Sequence, residues 1–263
     1  MPEIERVPEG VDPTKPNTAR VYNYLLGGKD NYAVDQAVAH RMLLAAPDSR
    51  TMAWFSRKFL AQAVTTAAVA GVRQFIDLGA GIPTTPSVHE VAKEVDPAAR
   101  VVSVDYDPVV FAHANAMLAG VPGVTPMLAD VRRPEELLER LEHEELIDFT
   151  QPVAILCVGV LHFVMDHEHP AEIVAHFREA MAPGSYLAFT HGCDNTHRDF
   201  VDMANSDTAG SPAQFILRPR DEVASYFKGF EMLEPGLVTV QQWLGDDLPA
   251  TRLVILGGVC RKP

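Results

Sequence analysis

FIDLGAGIP, residues Phe75 to Pro83, is an apolar run that closes on an acid and a glycine turn. Read as a strand, it delivers Asp77 to a turn made by Gly79, Ala80 and Gly81, with a helix to follow. Two glycines let a backbone approach a ligand closely, and the open N–H groups at the start of the next helix favour negative charge. The next strand, Val101 to Val104, ends at Asp105 and Tyr106, about 20 residues beyond the turn, where a carboxylate can grip the two hydroxyls of a ribose. The expected ligand therefore carries an adenosine.

Dinucleotide sites begin the same way, but their fingerprint is GxGxxG, and here the third glycine position is Thr84, flanked by Pro83 and Pro86. Prolines remove N–H donors that a pyrophosphate would use, which weakens the dinucleotide reading. A third strand-end acid, Asp130 in MLADV (Met127 to Val131), suits the exocyclic amine of an adenine, with Val131 as its apolar neighbour.

Outward from this stretch, strands and helices alternate from Gly71 onward, the mark of a parallel sheet covered on both faces. Strands are predicted at 73–78, 100–105, 124–129, 152–158 and 185–191. Asp107 before Pro108 reads as a helix cap, and Pro134 opens an acidic, solvated helix. In the tail, Phe230 to Leu244 and Leu253 to Cys260 read as two extended runs joined by GDDLPAT, an antiparallel hairpin. Before the sheet, helices are predicted from Asn17 to the stop at Gly27 and Gly28, over about 33–45, and from Ser49 to Gly71. The division that follows is a loose arm (1–15), a helical lid or cap (16–70) and a ligand-binding α/β domain (71–263).

The blocks FIDLGAGIP, VVSVDYDP, MLADV and PVAILCVGVLHF together resemble the ordered motifs of class I S-adenosylmethionine-dependent methyltransferases over residues 70–263. NTARVYNYLLGGKDNY (Asn17 to Tyr32), joined to the GAGIPT turn, is similar to an actinobacterial S-adenosyl methyltransferase family once known only as a domain of unknown function. The resemblance implies a doubly wound, mostly parallel seven-stranded sheet with an antiparallel C-terminal hairpin. It also implies S-adenosylmethionine as cofactor and S-adenosylhomocysteine as product, held by Asp77, Gly79, Ala80, Gly81, Asp105, Tyr106, Asp130, Val131 and Gly159. The N-terminal block would add Tyr24, Asn31 and Tyr32 from a lid whose hinge is the Gly27–Gly28 pair. The motifs encode no acceptor; a small molecule is expected, and a regulator that binds the cofactor without turnover is the alternative.

His162, just past the fourth strand, and His191, ending the fifth, are the candidate catalytic bases. Cys193 and His197 follow His191, but without a fourth ligand or the spacing of known zinc sites, and no metal is expected. The formal charge of −13 would repel a phosphate backbone and disfavours nucleic acid. It would also attract a cationic acceptor, although such a charge commonly serves solubility. Cys157, Cys193 and Cys260, odd in number and mostly in apolar runs, suit a reducing compartment. No stretch approaches the roughly 20 apolar residues of a membrane span, and MPEIERVPEGVDP lacks the apolar core of a signal peptide. A cytoplasmic location is expected.

Overall fold

The computed structural model describes residues 12, 14–202, 214–245 and 247–263. Of the expected N-terminal arm, only Asp12, Thr14 and Lys15 fall among them. Three helices come first: α1 (Thr18–Leu25), α2 (Ala33–Ala45) and α3 (Ser49–Val69). Asn17 caps α1 by accepting from the Arg20 N–H at 3.1 Å, and the chain leaves that helix through Gly27 at φ +83°. A Cβ on Gly28 would stand 2.4 Å from the buried Asn23 amide, so this second glycine is required by close approach.

The alternation then runs β1 (Gln74–Leu78), α4 (Val88–Val95), β2 (Arg100–Asp105), α5 (Pro108–Leu118), β3 (Val124–Leu128), α6 (Pro134–His143) and β4 (Ala154–Cys157). After two short 3₁₀ turns come α7 (Pro170–Ala180), β5 (Tyr186–Gly192), α8 (Arg220–Ser225), β6 (Glu231–Met232), β7 (Val238–Thr239), α9 (Val240–Leu244) and β8 (Ile255–Arg261). The strand order is β3-β2-β1-β4-β5-β8-β6, with β7 also on β8. Strands β1 to β5 pair in parallel, and β8 runs antiparallel to β5.

The tail corrects one expectation. Phe230 to Leu244 is no single extended run: β6 and β7 pair with successive parts of β8, so eight strands fill the seven expected places. A turn at Glu234, Pro235 and Gly236 divides them, and the capping box of Thr239 and Gln242 starts α9 where extension was expected.

Period-2 alternation along the parallel strands sends side chains to opposite faces. Ile76, Val102 and Ile155 pack with Leu137 and Leu141 of α6 and with Phe177 of α7. Phe75, Val101 and Leu156 pack with Phe59 and Val64 of α3, Val91 of α4 and Trp243 of α9. Helix α3 is therefore built into one face of the sheet, whereas α1 and α2 share a small cluster around Val21, Leu25, Ala39 and Ala53. A buried ion pair links α1 to α2. Arg20 Nε donates to Asp35 at 2.8 Å, and the same carboxylate accepts the N–H groups of Asn17 and Tyr32. With that many donors its desolvation is offset, as a buried charge requires.

Candidate functional site at the carboxyl edge of the sheet

Strand β1 has β2 on one side and β4 on the other, and the helices after them leave on opposite faces. Sheets of this kind bind ligands in the crevice at that reversal, outside the strands' carboxyl ends. The turn after β1 is left-handed at both glycines, φ +63° at Gly79 and +67° at Gly81. Their surroundings differ: a Cβ on Gly79 would lie 2.5 Å from Val160 Cγ2, while one on Gly81 meets nothing within 4 Å. Gly79 is thus demanded by packing, and Gly81 by conformation and by open space above the turn. Between them the Ala80 N–H donates to the Val104 carbonyl at 3.0 Å, tying the turn to β2.

Asp105 completes this tie. Its Oδ2 accepts the Gly81 N–H at 3.0 Å and its Oδ1 accepts the Asp107 N–H at 3.0 Å. Burial raises its pKa, against the lowering effect of those backbone donors. An ionised carboxylate has about four acceptor sites, so Asp105 keeps capacity for further donors. Asp107 caps α5 through the Val109 N–H, at 2.8 Å, and also accepts from Asn17 Nδ2 of the N-terminal block. That bond joins the start of α1 directly to the carboxyl end of β2.

Asp77 is buried on β1. No described residue donates a hydrogen bond to its carboxyl. Burial pushes its pKa up to about 7, with Asp105 adding to the rise and Arg57 of α3 opposing it. Its charge reaches across to the buried Cys157 thiol on β4, which burial and Asp77 push up to about 12. Gly159, at φ +77°, ends the β4 side and donates its N–H to the buried Thr190 hydroxyl at 2.8 Å.

The third acid, Asp130, is paired with a neighbouring arginine. Arg132 grips Asp130 through Nε at 2.9 and 3.0 Å and through Nη2 at 2.6 Å, and reaches Glu168 at 3.1 Å. Burial would raise the pKa of Asp130, but these bonds outweigh it and lower it. The arginine thus holds the carboxylate in place just past the end of β3. Arg132 also lies over the half-exposed Tyr106 ring, 5.3 Å from its centroid, while Val131 packs inward against the core.

Among the N-terminal helices, the three residues expected to contact the cofactor bond with one another's surroundings. Tyr24 bonds His40 at 2.8 Å and stacks beneath Arg50. Asn31 donates to Asn23 and Gly28 and accepts from Gln36, and the Tyr32 ring faces Arg20. Tyr22, 37% exposed, donates its hydroxyl to the Ala53 carbonyl on α3 at 3.1 Å.

The two histidines also part company. His191 is fully buried, and its pKa is lowered to about 4, first by burial and also by Arg218. Arg218 Nη1 lies 2.9 Å from its Nε2, which must therefore accept, and Nδ1 donates to the Gly192 carbonyl at 2.8 Å. With both nitrogens committed, His191 has no atom left for a substrate, and the expectation of a base there is corrected. Arg218, 2% exposed, also bonds the carbonyls of Leu161 and Val164 and the Asp166 carboxylate. This buried latch fixes the 3₁₀ segment that carries His162. His162 itself packs among Phe163, His191 and Phe215, its Nδ1 buried without a hydrogen-bond partner among the described residues. Burial, His191 and Arg218 hold its pKa down to about 3. Among the described residues no group of three or more potential ligands could hold a metal, and no helix is long and apolar enough to cross a membrane.

Comparison with known proteins puts this geometry in context. A family profile described as S-adenosyl methyltransferase matches residues 5–263. The crystal structure of a candidate methyltransferase from Thermobifida fusca YX is 38% identical, with a TM-score of 0.88 over 97% of this chain and 98% of that one. A DUF574 family protein from Streptomyces avermitilis MA-4680 is 33% identical, with a TM-score of 0.88 over 96% and 99% of the two chains. The N-methyltransferase NodS from Bradyrhizobium japonicum WM9, in complex with S-adenosylhomocysteine, shares the fold at 12% identity and a TM-score of 0.50 over 80% and 88%. No curated protein matches. The chain belongs to the S-adenosyl methyltransferase family, and it is an S-adenosylmethionine-dependent methyltransferase.

Proposed function

We propose that this enzyme methylates a small-molecule acceptor in the crevice between the glycine turn, the ends of β2 and β4, and the N-terminal cap. The observation that carries the reading is the tie of Gly81 to Asp105, with open space over Gly81 and the Asp77 carboxyl beside it. These residues fit the cofactor: Asp105 has acceptor capacity for a ribose diol, Gly81 admits close approach, and Asp77 is a buried carboxyl without a described donor. When bound, S-adenosylmethionine supplies a methyl group activated by a cationic sulfur, and the departing thioether is neutral. The protein's share is then alignment of nucleophile, methyl and sulfur, an effect worth several kcal/mol.

The chain's own residues also limit the acceptor. His191 is committed to Arg218, and a histidine held near a pKa of 3 is a weak base at neutral pH. His162 therefore acts as a neutral polar contact, and the acceptor is one that presents its lone pair with little need for a protein base. We infer that α1 and α2 close over the crevice mouth, supported by the Asn17 bond to Asp107. A cytoplasmic setting is supported by three unpaired, buried cysteines, and the charge of −13 disfavours nucleic acid as acceptor.

The test is to incubate the purified protein and methyl-labelled S-adenosylmethionine with a cell extract split into small-molecule and macromolecular fractions. Label should enter the first with stoichiometric S-adenosylhomocysteine. Label confined to protein or nucleic acid would overturn the acceptor class.

A further inference from the structure

Arg20 and Asp35 take no part in the chemistry of the crevice, yet their side chains are only 2% and 0% exposed. A buried ion pair adds little to stability of itself, because the desolvation of two charges opposes their attraction. What this pair does is hold a third residue. Asn17 donates its backbone N–H to Asp35 Oδ1 at 2.8 Å, and its side-chain oxygen accepts the Arg20 N–H at 3.1 Å. Arg20 is fixed in turn, with Nε on Asp35 Oδ2 at 2.8 Å and Nη2 on the Lys15 carbonyl at 2.6 Å. The Asn17 amide must therefore turn its oxygen toward Arg20, which leaves Nδ2 to donate to Asp107 Oδ2, 90 residues along the chain.

From Asp107 the bonding continues inward. Its Oδ1 caps α5 through the Val109 N–H, so its two oxygens serve two different elements. Its N–H donates to Asp105 Oδ1 at 3.0 Å, and Asp105 Oδ2 accepts the Gly81 N–H at 3.0 Å. Hydrogen bonds thus run without a break from α2, through Asn17, Asp107 and Asp105, to the glycine turn. We propose, resting on the cofactor reading, that Asn17 is a positioning residue: it fixes Asp107, and through it sets the Asp105 carboxylate in the orientation that receives the ribose hydroxyls. Two backbone donors define the plane of that carboxylate, and one of them belongs to the residue that Asn17 holds. The bond to Val109 ties Asp107 to its own helix only; Asn17 supplies the second point of attachment, and the buried pair is its fixed end. A carboxylate oriented before the ligand arrives lowers the ordering cost of binding. The start of α1 thereby contributes to cofactor affinity through Asp107 and Asp105.

Asn17 is also the cap of α1, and substitution separates the two roles. Asn17→Asp keeps an oxygen for the Arg20 N–H, Asp and Asn being equivalent caps, but it has no hydrogen to give and sets a second carboxylate against Asp107. Calorimetric titration of the full chain should show S-adenosylhomocysteine bound about tenfold more weakly. Adding Asp107→Asn returns a donor from the other side of the contact and still caps α5, so affinity should recover to within about threefold of the wild type. In an Asp105→Ala background the carboxylate to be positioned is gone, and Asn17→Asp should then have no further effect. Unchanged affinity in Asn17→Asp, a loss that Asp107→Asn does not recover, or a loss of the same size without Asp105 would each overturn the proposal. Should Asn17→Asp fail to fold, Asn17→Ser keeps a capping oxygen and is too short to reach Asp107; undiminished affinity there overturns it equally. A wild type that does not bind S-adenosylhomocysteine would bring down the cofactor reading and this role with it, an outcome that the wild-type titration alone identifies.

Discussion

The crevice has two ends that contain similar residue types and treat them in opposite ways. At the β1–β2 end, Asp77 is buried without a described hydrogen-bond donor, and Asp105 takes one backbone donor on each oxygen, so capacity remains. At the β4–β5 end, His191, Arg218 and Asp166 satisfy one another and the carbonyls around them. A polar group that is to receive a ligand must keep bonding capacity and bear the cost of desolvation, whereas one that holds structure must be fully bonded. The first end is poised for a ligand. The second is a brace that presents His162 and the aromatic rings around it.

That contrast predicts where mutation damages stability and where it damages binding. The largest effect should come from Arg218→Ala, which strips partners from two buried carbonyls and from His191. Breaking such a buried network costs about 3–5 kcal/mol, read by urea unfolding. A loss below about 1 kcal/mol would show that the brace behaves like a surface pair and would erase the distinction between the ends.

Next is the glycine turn, where neighbouring positions should separate. Gly79→Ala combines left-handed strain of about 1–2 kcal/mol with a clash against Val160 Cγ2 at 2.5 Å, so destabilisation of about 2–4 kcal/mol is expected. Gly81→Ala has the strain without the clash and should cost about 1–2 kcal/mol, while its added methyl intrudes on the open side of the turn and weakens S-adenosylhomocysteine. If both variants lose stability equally and Gly81→Ala binds ligand normally, the space over Gly81 is not part of the site. Asp105→Ala follows in size: loss of charge-assisted bonds to a ribose diol should cost about 1.5–3 kcal/mol of S-adenosylhomocysteine affinity. An unchanged dissociation constant would remove Asp105 from the binding end.

The two ends also differ in how far they can be read from sequence. Asp77, Gly79, Gly81 and Asp105 are legible because each sits at a strand end and a local pattern fixes its position. The same holds for the caps, since Asn17 and Asp107–Pro108 act within three residues of themselves. Arg218 binds partners 27 to 57 residues away, and an isolated arginine in a sequence reads by default as solvated. Arg20 and Asp35 fail for the same reason, although the pair is almost wholly buried. Asp130 lies two residues past the end of β3, and its pairing with Arg132 is local, two residues along the chain. In the tail, the apolar content of Phe230 to Leu244 reads as extension and masks two local signals, the Pro235–Gly236 turn and the Thr239–Gln242 capping box.

The last prediction tests the contrast through protons, because the two ends titrate with opposite sign. Asp77 has a folded pKa of about 7, raised from 3.8, so between those values the folded chain holds a proton that the unfolded chain has lost. Its contribution to stability is greatest at the acid side and falls as pH rises through the window. His162 and His191 are lowered to about 3 and about 4 from 6.5, so the unfolded chain binds protons there that the folded chain refuses. Their contribution is present above pH 6.5 and is lost as pH falls toward 4. In the wild type, Asp77 therefore offsets part of the acid loss caused by the two histidines. Asp77→Asn removes that offset, and between about pH 4 and 7 its stability should rise with pH more steeply than the wild type by up to one proton, about 1.4 kcal/mol per pH unit. Urea unfolding of both proteins across this range gives the difference in slope directly. Parallel curves would mean that Asp77 ionises in the folded chain much as it does in the unfolded one, and the ligand-ready end would lose its defining property.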